Sequence, residues 1–360
     1  MNTVKILTSQ AIPGMVVSEN VYTKDLHMVI SKGTALTDKI ITRLEFYSIT
    51  DFSVYSDDDL FEQEPEYIEN TFYSEIKKSE TFKRFCKTYQ NVTDNVRTAM
   101  DDVVNHDKEI NPGQLLSDVS KILYHCNTNI ELFNMLHTMR EYDDPTYTHS
   151  LNVSLMCNIL AKWLHFSTED IEIVTLSGLL HDIGKLLIPN TILGKPSKLT
   201  DTEFSEIKTH TVKGYKLLRD KKLDERIQSV ALMHHERCDG SGYPNGLISH
   251  EIDPLAKLLA IVDVYDAMTC ARVYRDPLCP FDVISLFEAE GYLKYDTKFL
   301  LTFLEGIAMT YINNNVRLSN QIEGEIILIN KFELSRPVIK AGDQFIDLSK
   351  HRNLYIESLI

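Results

Sequence analysis

Ile171 to Leu187 reads IEIVTLSGLLHDIGKLL. Its apolar residues recur at helical spacing as far as Leu180, and the run then stops on the polar pair His181-Asp182. Two polar side chains at the edge of a core cost several kcal/mol if buried unpaired, a cost that a cation would resolve. Working outward, similar stripes occupy Leu115–Leu123, Asn152–Leu164, Ile227–Met233, Ala256–Met268 and Phe299–Ile312. The segment from Pro112 to about Tyr311 therefore reads as almost purely helical, and the fold class as mainly α.

The flanks have another texture. Short β-branched runs at Thr3–Leu7, Met15–Val21 and Met28–Ile30 are broken by Pro13-Gly14 and Lys32-Gly33, and a helical pattern follows at Asp38–Tyr47. These features predict a small β-rich domain over 1–56 with a regulatory role. Residues 57–111 then read as an acidic linker, with Asp57–Asp59 and Glu62–Glu66, followed by a connecting helix that is a candidate dimerisation element. A helical domain is expected over 112–315. Beyond it, Glu323–Asn330, Arg336–Ile339 and Leu354–Ile360 alternate as strands do, which predicts a C-terminal β extension over 316–360.

Over 360 residues the formal charge is −15, which argues against a duplex nucleic acid as partner, because phosphate neutralisation needs clustered cations. The six cysteines form no CxxC pair and read as reduced thiols. The longest apolar stretches are too short to span a bilayer and no leader is apparent, so a cytoplasmic location without membrane contact is expected.

Seven potential ligands fall in the helical region: His149, His181, Asp182, His210, His234, His235 and Asp263. One histidine alone would read as structural, but imidazoles with carboxylates suit divalent transition metals. Seven ligands exceed the three protein ligands of one catalytic ion and suggest two metals sharing a carboxylate, for which Asp182 is the natural bridge. Such a pair can hold a hydroxide between the ions and stabilise attacking and leaving oxygens in phosphoester hydrolysis.

His181-Asp182-Ile183-Gly184-Lys185, His234-His235-Glu236-Arg237, Asp239-Gly240-Ser241-Gly242-Tyr243-Pro244 and Asp263-Val264-Tyr265-Asp266-Ala267-Met268-Thr269 resemble the HD-GYP family over about residues 130–280, as does the upstream Thr148-His149-Ser150-Leu151-Asn152-Val153. The resemblance implies an HD-type all-helical catalytic domain and a phosphodiesterase that opens cyclic di-GMP to pGpG, with GMP as a further product. It implies iron or manganese, with His149, His181, Asp182 and Asp263 as one ligand set and His210, His234 and His235 completing a second through Asp182. Lys185 matches the lysine that contacts the scissile phosphate. Tyr243 matches the cleft tyrosine, and Arg272 and Arg275 match the basic positions that hold substrate phosphates. Pro145 stands where trinuclear members carry a glutamate, so two metals are expected, with Asp143 or Asp144 as substitutes if a third binds. Ser197 and Ser249 replace glycines of the pattern. The rival readings are a catalytically silent cyclic dinucleotide receptor that signals through the flanking domains, an enzyme preferring cyclic GMP-AMP, and another HD-fold chemistry on a mononucleotide or oxygen; signalling protein partners are a further expectation.

Overall fold

A computed structural model of the chain describes residues 3–8, 11–22, 28–37, 40–41, 44, 49, 51–55, 79–126, 128–139, 145–193, 195, 200–270 and 278–360, the side chains of 137 and 145 excepted. Two small antiparallel pairs lie at the N-terminal end: β1 (Thr3–Leu7) with β4 (Asp51–Tyr55), and β2 (Val21–Tyr22) with β3 (Met28–Ile30). Strand β4 was not expected from the sequence, although its Phe52 and Val54 alternate inward on a common core with Ile6, Val17 and Leu44. The acidic stretch 57–66 lies outside the described residues.

The helices follow: α1 (Glu80–His106), α2 (Pro112–Tyr124), α3 (Asn129–Met139), α4 (Pro145–Trp163), α5 (Thr168–Leu180), α6 (Asn190–Leu193), α7 (Asp201–Lys208), α8 (His210–Arg219), α9 (Glu225–Met233), α10 (Pro254–Thr269), α11 (Pro280–Lys294) and α12 (Thr297–Thr310). None among the described residues is long and apolar enough to cross a membrane. Beyond them β5 (Asn315–Leu318), β6 (Glu323–Leu328), β7 (Val338–Ala341), β8 (Gln344–Asp347) and β9 (Ile356–Leu359) form an antiparallel sheet of order β8-β7-β6-β5-β9. Val316, Leu318, Ile326 and Ile339 of this sheet join the same buried cluster as the helices.

Helix α5 lies at the centre. Every residue from Ile173 to Leu180 is buried, as a helix apolar on all faces must be in a bundle. Its start is fixed by Ser167, whose Oγ accepts from the Asp170 amide at 3.1 Å. Helices α4 and α5 approach so closely that a Cβ on Gly178 would collide with the Ser154 backbone, and Ser154 Oγ donates to the Thr175 carbonyl at 2.7 Å. That crossing sets the middle of α4 beside the end of α5.

After α5 the chain tightens into a 3-10 turn, Ile183–Leu187, rather than continuing as an α-helix. Gly184 lets this turn lie directly on α8, since a Cβ there would run into the His210 carbonyl oxygen and the Gly214 amide. Asp182 is thereby brought beside His210. Gly184→Ala is expected to force the two segments apart, costing about 2–3 kcal/mol and weakening metal uptake. A thermal melt and a metal count check it, and an unchanged melting temperature with full metal would refute it.

Candidate metal centre

Three helix ends, those of α5, α8 and α9, and the two helices α4 and α10 converge on Asp182, which is 2 % exposed. Its two oxygens divide the histidines. Oδ1 lies 3.3 Å from His210 Nε2 and 3.7 Å from His234 Nε2, whereas Oδ2 lies 3.2 Å from His181 Nε2 and 3.8 Å from His149 Nε2. The donor atoms fall into two overlapping groups, Asp182 with His210, His234 and His235, and Asp182 with His149 and His181. Asp263 Oδ1 sits 3.0 Å from His149 Nε2 and 3.9 Å from His181 Nε2, and its Oδ2 sits 4.0 Å from His235 Nδ1. The structure thus brings together all seven ligands expected from the sequence.

Backbone carbonyls orient the most buried rings. His181 Nδ1 donates to Gly178 O at 2.8 Å, His210 Nδ1 to Ile207 O at 2.7 Å, and His234 Nδ1 to Ala231 O at 2.9 Å. A carbonyl only accepts, so each ring carries its hydrogen on Nδ1 and turns Nε2 inward. His181 Nε2 and Asp182 Oδ1 are buried and make no hydrogen bond of good geometry, even though His210 Nε2 approaches that oxygen. Buried polar atoms left in this way, within a set of imidazoles and carboxylates, fit divalent transition metal ions.

Charge is distributed to match. Burial would raise the Asp182 carboxyl, but the Lys185 ammonium and His181 outweigh it and hold it well below the usual range. Burial likewise opposes ionisation of Asp263, and the hydrogen bond from His149 keeps it low. Burial pulls His234 down to about 4 and drives His235 well below its ordinary value, so both are neutral and ready to ligate. His149 goes the other way. Burial lowers it, yet hydrogen bonds to Asp263 and Asp266 win and raise it to about 9 from an ordinary 6.5.

This sets a pH dependence. A raised histidine adds stability that is fully present below 6.5 and is lost as pH climbs through about 9. In the metal-free chain His149 is therefore protonated at neutral pH, and a metal must displace that proton. Manganese affinity is expected to rise about tenfold per pH unit from about pH 7 to 9, checked by titration across that range. A flat profile would show that His149 is already neutral.

Lys185 extends from the 3-10 turn to Asp182 Oδ2, with Nζ at 2.5 Å. Tyr243 stacks on His235, with ring centroids 4.6 Å apart and planes 24° from parallel, so its ring forms one wall of the site. Its Gly-rich loop is held by Glu236, a buried acid that accepts the Asn245 amide at 2.7 Å and the Leu247 amide at 2.9 Å. A Cβ on Gly242 would enter the backbone of His235–Arg237, which keeps that loop tight against the ligand pair. Arg272, Arg275, Asp143 and Asp144 lie outside the described residues, as does the side chain of Pro145.

Three residues of the site escaped sequence reading. Asp266 Oδ2 takes His149 Nδ1 at 2.7 Å. Its signal was the three-residue spacing from Asp263, which puts both carboxylates on one face of α10. Lys208, two residues before a ligand, holds Nζ 5.2 Å from the Tyr243 ring centroid. Glu236 directly follows the histidine pair within the same motif, where sequence reading assigns it no role of its own.

The HD domain family matches residues 115–299. A cyclic di-GMP phosphodiesterase of Pseudomonas aeruginosa is 35% identical over 228 residues, covering 63% of this chain and 54% of that protein. A 3'3'-cGAMP-specific phosphodiesterase of Vibrio cholerae is 39% identical over 145 residues, covering 40% of this chain and 34% of that protein. The chain thus spans about half the length, or less, of the curated relatives it matches. Among solved structures, an HDG"Y"P protein of Bdellovibrio bacteriovorus shares the fold at 17% identity with a TM-score of 0.50, covering 85% of this chain and 99% of that one. With the His181-Asp182 pair at the centre of the ligand set and the Gly-Tyr-Pro loop walling it, this chain belongs to the HD domain family, in its HD-GYP branch.

Proposed function

We propose that the chain is a metal-dependent phosphodiesterase that hydrolyses a cyclic dinucleotide, with cyclic di-GMP as the first candidate and pGpG, then GMP, as products. The observation that carries this reading is the division of ligands across Asp182, each oxygen facing its own pair of histidines. His149, His181, Asp182 and Asp263 would hold one ion, and Asp182, His210, His234 and His235 a second. Two such ions, iron or manganese, would supply Lewis-acid polarisation of a phosphoryl oxygen and a nucleophilic water at neutral pH.

The chain's own groups do the rest. Lys185, at the open side of Asp182, directs its ammonium to the scissile phosphate and neutralises charge that develops there. Tyr243 offers a ring face beside the ligands on which a purine can stack. Arg272 and Arg275 are the proposed clamp on the second phosphate, where forked guanidinium groups suit two oxygens at once. We also propose the division into a regulatory segment 1–56, a linker and connecting helix 57–111, a catalytic unit 112–315 and an extension 316–360.

The test is turnover of cyclic di-GMP by protein loaded anaerobically with iron or manganese, with products separated by chromatography and metal counted on the same sample. Metal-dependent pGpG supports the reading. The likeness to a Vibrio cholerae enzyme named for 3'3'-cGAMP makes that nucleotide the comparison substrate, and a faster rate on it would reassign the specificity. Two metals per chain with no product from either would replace the enzyme by a receptor.

A further inference from the structure

The hydrogen bonds around His149 continue out of the site and into α1. Asp266 receives His149 Nδ1 on Oδ2, while its Oδ1 accepts from Asn152 Nδ2 at 3.2 Å and from Cys270 Sγ at 3.3 Å. Asn152 Oδ1 in turn takes the hydroxyl of Tyr89 at 2.7 Å, which also approaches the Thr148 carbonyl at 3.2 Å. Tyr89, Asn152 and Asp266 are all buried, at 2 %, 6 % and 0 % exposure, and come from three different helices. Tyr89 also lies upstream of the residues that the HD domain family matches.

We propose that Tyr89 and Asn152 are positioning residues for the metal ligand His149, so that helix α1 sets the metal affinity of the site. The direction of the chain follows from the donor inventory. A carboxylate oxygen only accepts, so the Asn152 amide turns its NH2 toward Asp266 and its oxygen toward Tyr89, whose one hydroxyl hydrogen goes to that oxygen at 2.7 Å. Asp266 Oδ1 is then satisfied, and Oδ2 is left to fix the His149 ring with Nε2 facing Asp182 and Asp263. Without the phenol hydroxyl, the buried Asn152 oxygen loses its hydrogen-bond donor. The amide is then free to tilt away from Asp266, and the His149 ring loses its alignment.

The inference rests on reading the cluster as a metal centre and is independent of the substrate. The experiment is manganese titration of the full chain, followed by the electron paramagnetic resonance signal of the free ion, with melting of the metal-free protein in parallel. Tyr89→Phe is expected to weaken binding about tenfold, and Asn152→Ser likewise, in line with groups that orient a ligand. Phe85→Leu, which disturbs the packing of the same helix where Phe85 stacks on Tyr89 at 5.8 Å, is expected to lower the melting temperature while leaving affinity within about twofold. Adding Tyr89→Phe to Asp266→Asn is expected to cause no further loss, because the two act in series. Unchanged affinity in Tyr89→Phe, equal weakening by Phe85→Leu, or additive losses in the double variant would each overturn the proposal. Should Tyr89→Phe fail to fold, Asn152→Ser and its combination with Asp266→Asn decide it. Normal metal binding without hydrolysis of any cyclic dinucleotide would defeat the proposed function and leave this inference standing.

Discussion

Asp182→Asn is expected to abolish metal retention and to lower cyclic dinucleotide hydrolysis by about 10³-fold or more. The change keeps shape and removes one negative charge from a place where four imidazoles approach within 3.8 Å. An amide oxygen can serve only one ion weakly, and its NH2 would point a donor at the other histidine pair. Both ligand groups share this residue, so both fail together. The helical signal in circular dichroism should persist, since α4, α5 and α10 remain packed through their apolar faces. The decisive reading is metal content by mass spectrometry after dialysis, with turnover on the same sample. A variant that keeps its metals and half its rate would remove Asp182 from the centre of the mechanism.

Lys185→Ala separates metal binding from chemistry. The ammonium reaches Asp182 Oδ2 at 2.5 Å and is the largest favourable influence holding that carboxyl low. In the metal-free chain it occupies the oxygen that a metal would need, so its removal should leave metal content unchanged or raised. Turnover, in contrast, is expected to fall about 10²–10³-fold, because a cation aimed at charge developing on phosphate acts in the transition state. The loss should fall on kcat rather than KM. If Lys185 only complemented a helix end, the variant would show a small shift in melting temperature and normal kinetics.

That the ligand side chains belong together was legible in sequence because most stand in or beside the motifs that carry the resemblance: His149 upstream, His181 and Asp182 at the end of an apolar run, His234-His235 before a glycine loop, and Asp263 within an apolar stripe. Asp266 was not, because carboxylates three apart on a helix usually mark a solvated face. Its role depends on α4 lying across α10, a tertiary fact. Glu236 hid for a similar reason, since only the return of the loop at Asn245 and Leu247 gives a buried acid its two amide partners. Strand β8 was missed because Gln344–Asp347 is half exposed and polar, and strand β5 because it begins inside an asparagine run read as a turn. The expected strands at Glu323 and Arg336 are present as β6 and β7, with bounds shifted by up to two residues at most ends.

His181, His210 and His234 each use Nδ1 to close the last turn of a helix, on Gly178 of α5, Ile207 of α7 and Ala231 of α9. Those carbonyls are among the ones a helix end leaves without a partner. His149 and His235 have no such duty; the first is held by side chains and the second is stacked on Tyr243. An ordering follows for how a chain of this design can decay over evolutionary time. A descendant that lost the proposed hydrolysis could discard His235 at least cost to the fold, whereas losing His149 strips buried Asp263 and Asp266 of a partner and losing any of the other three unlatches a helix, so those four imidazoles should outlive the reaction proposed for them.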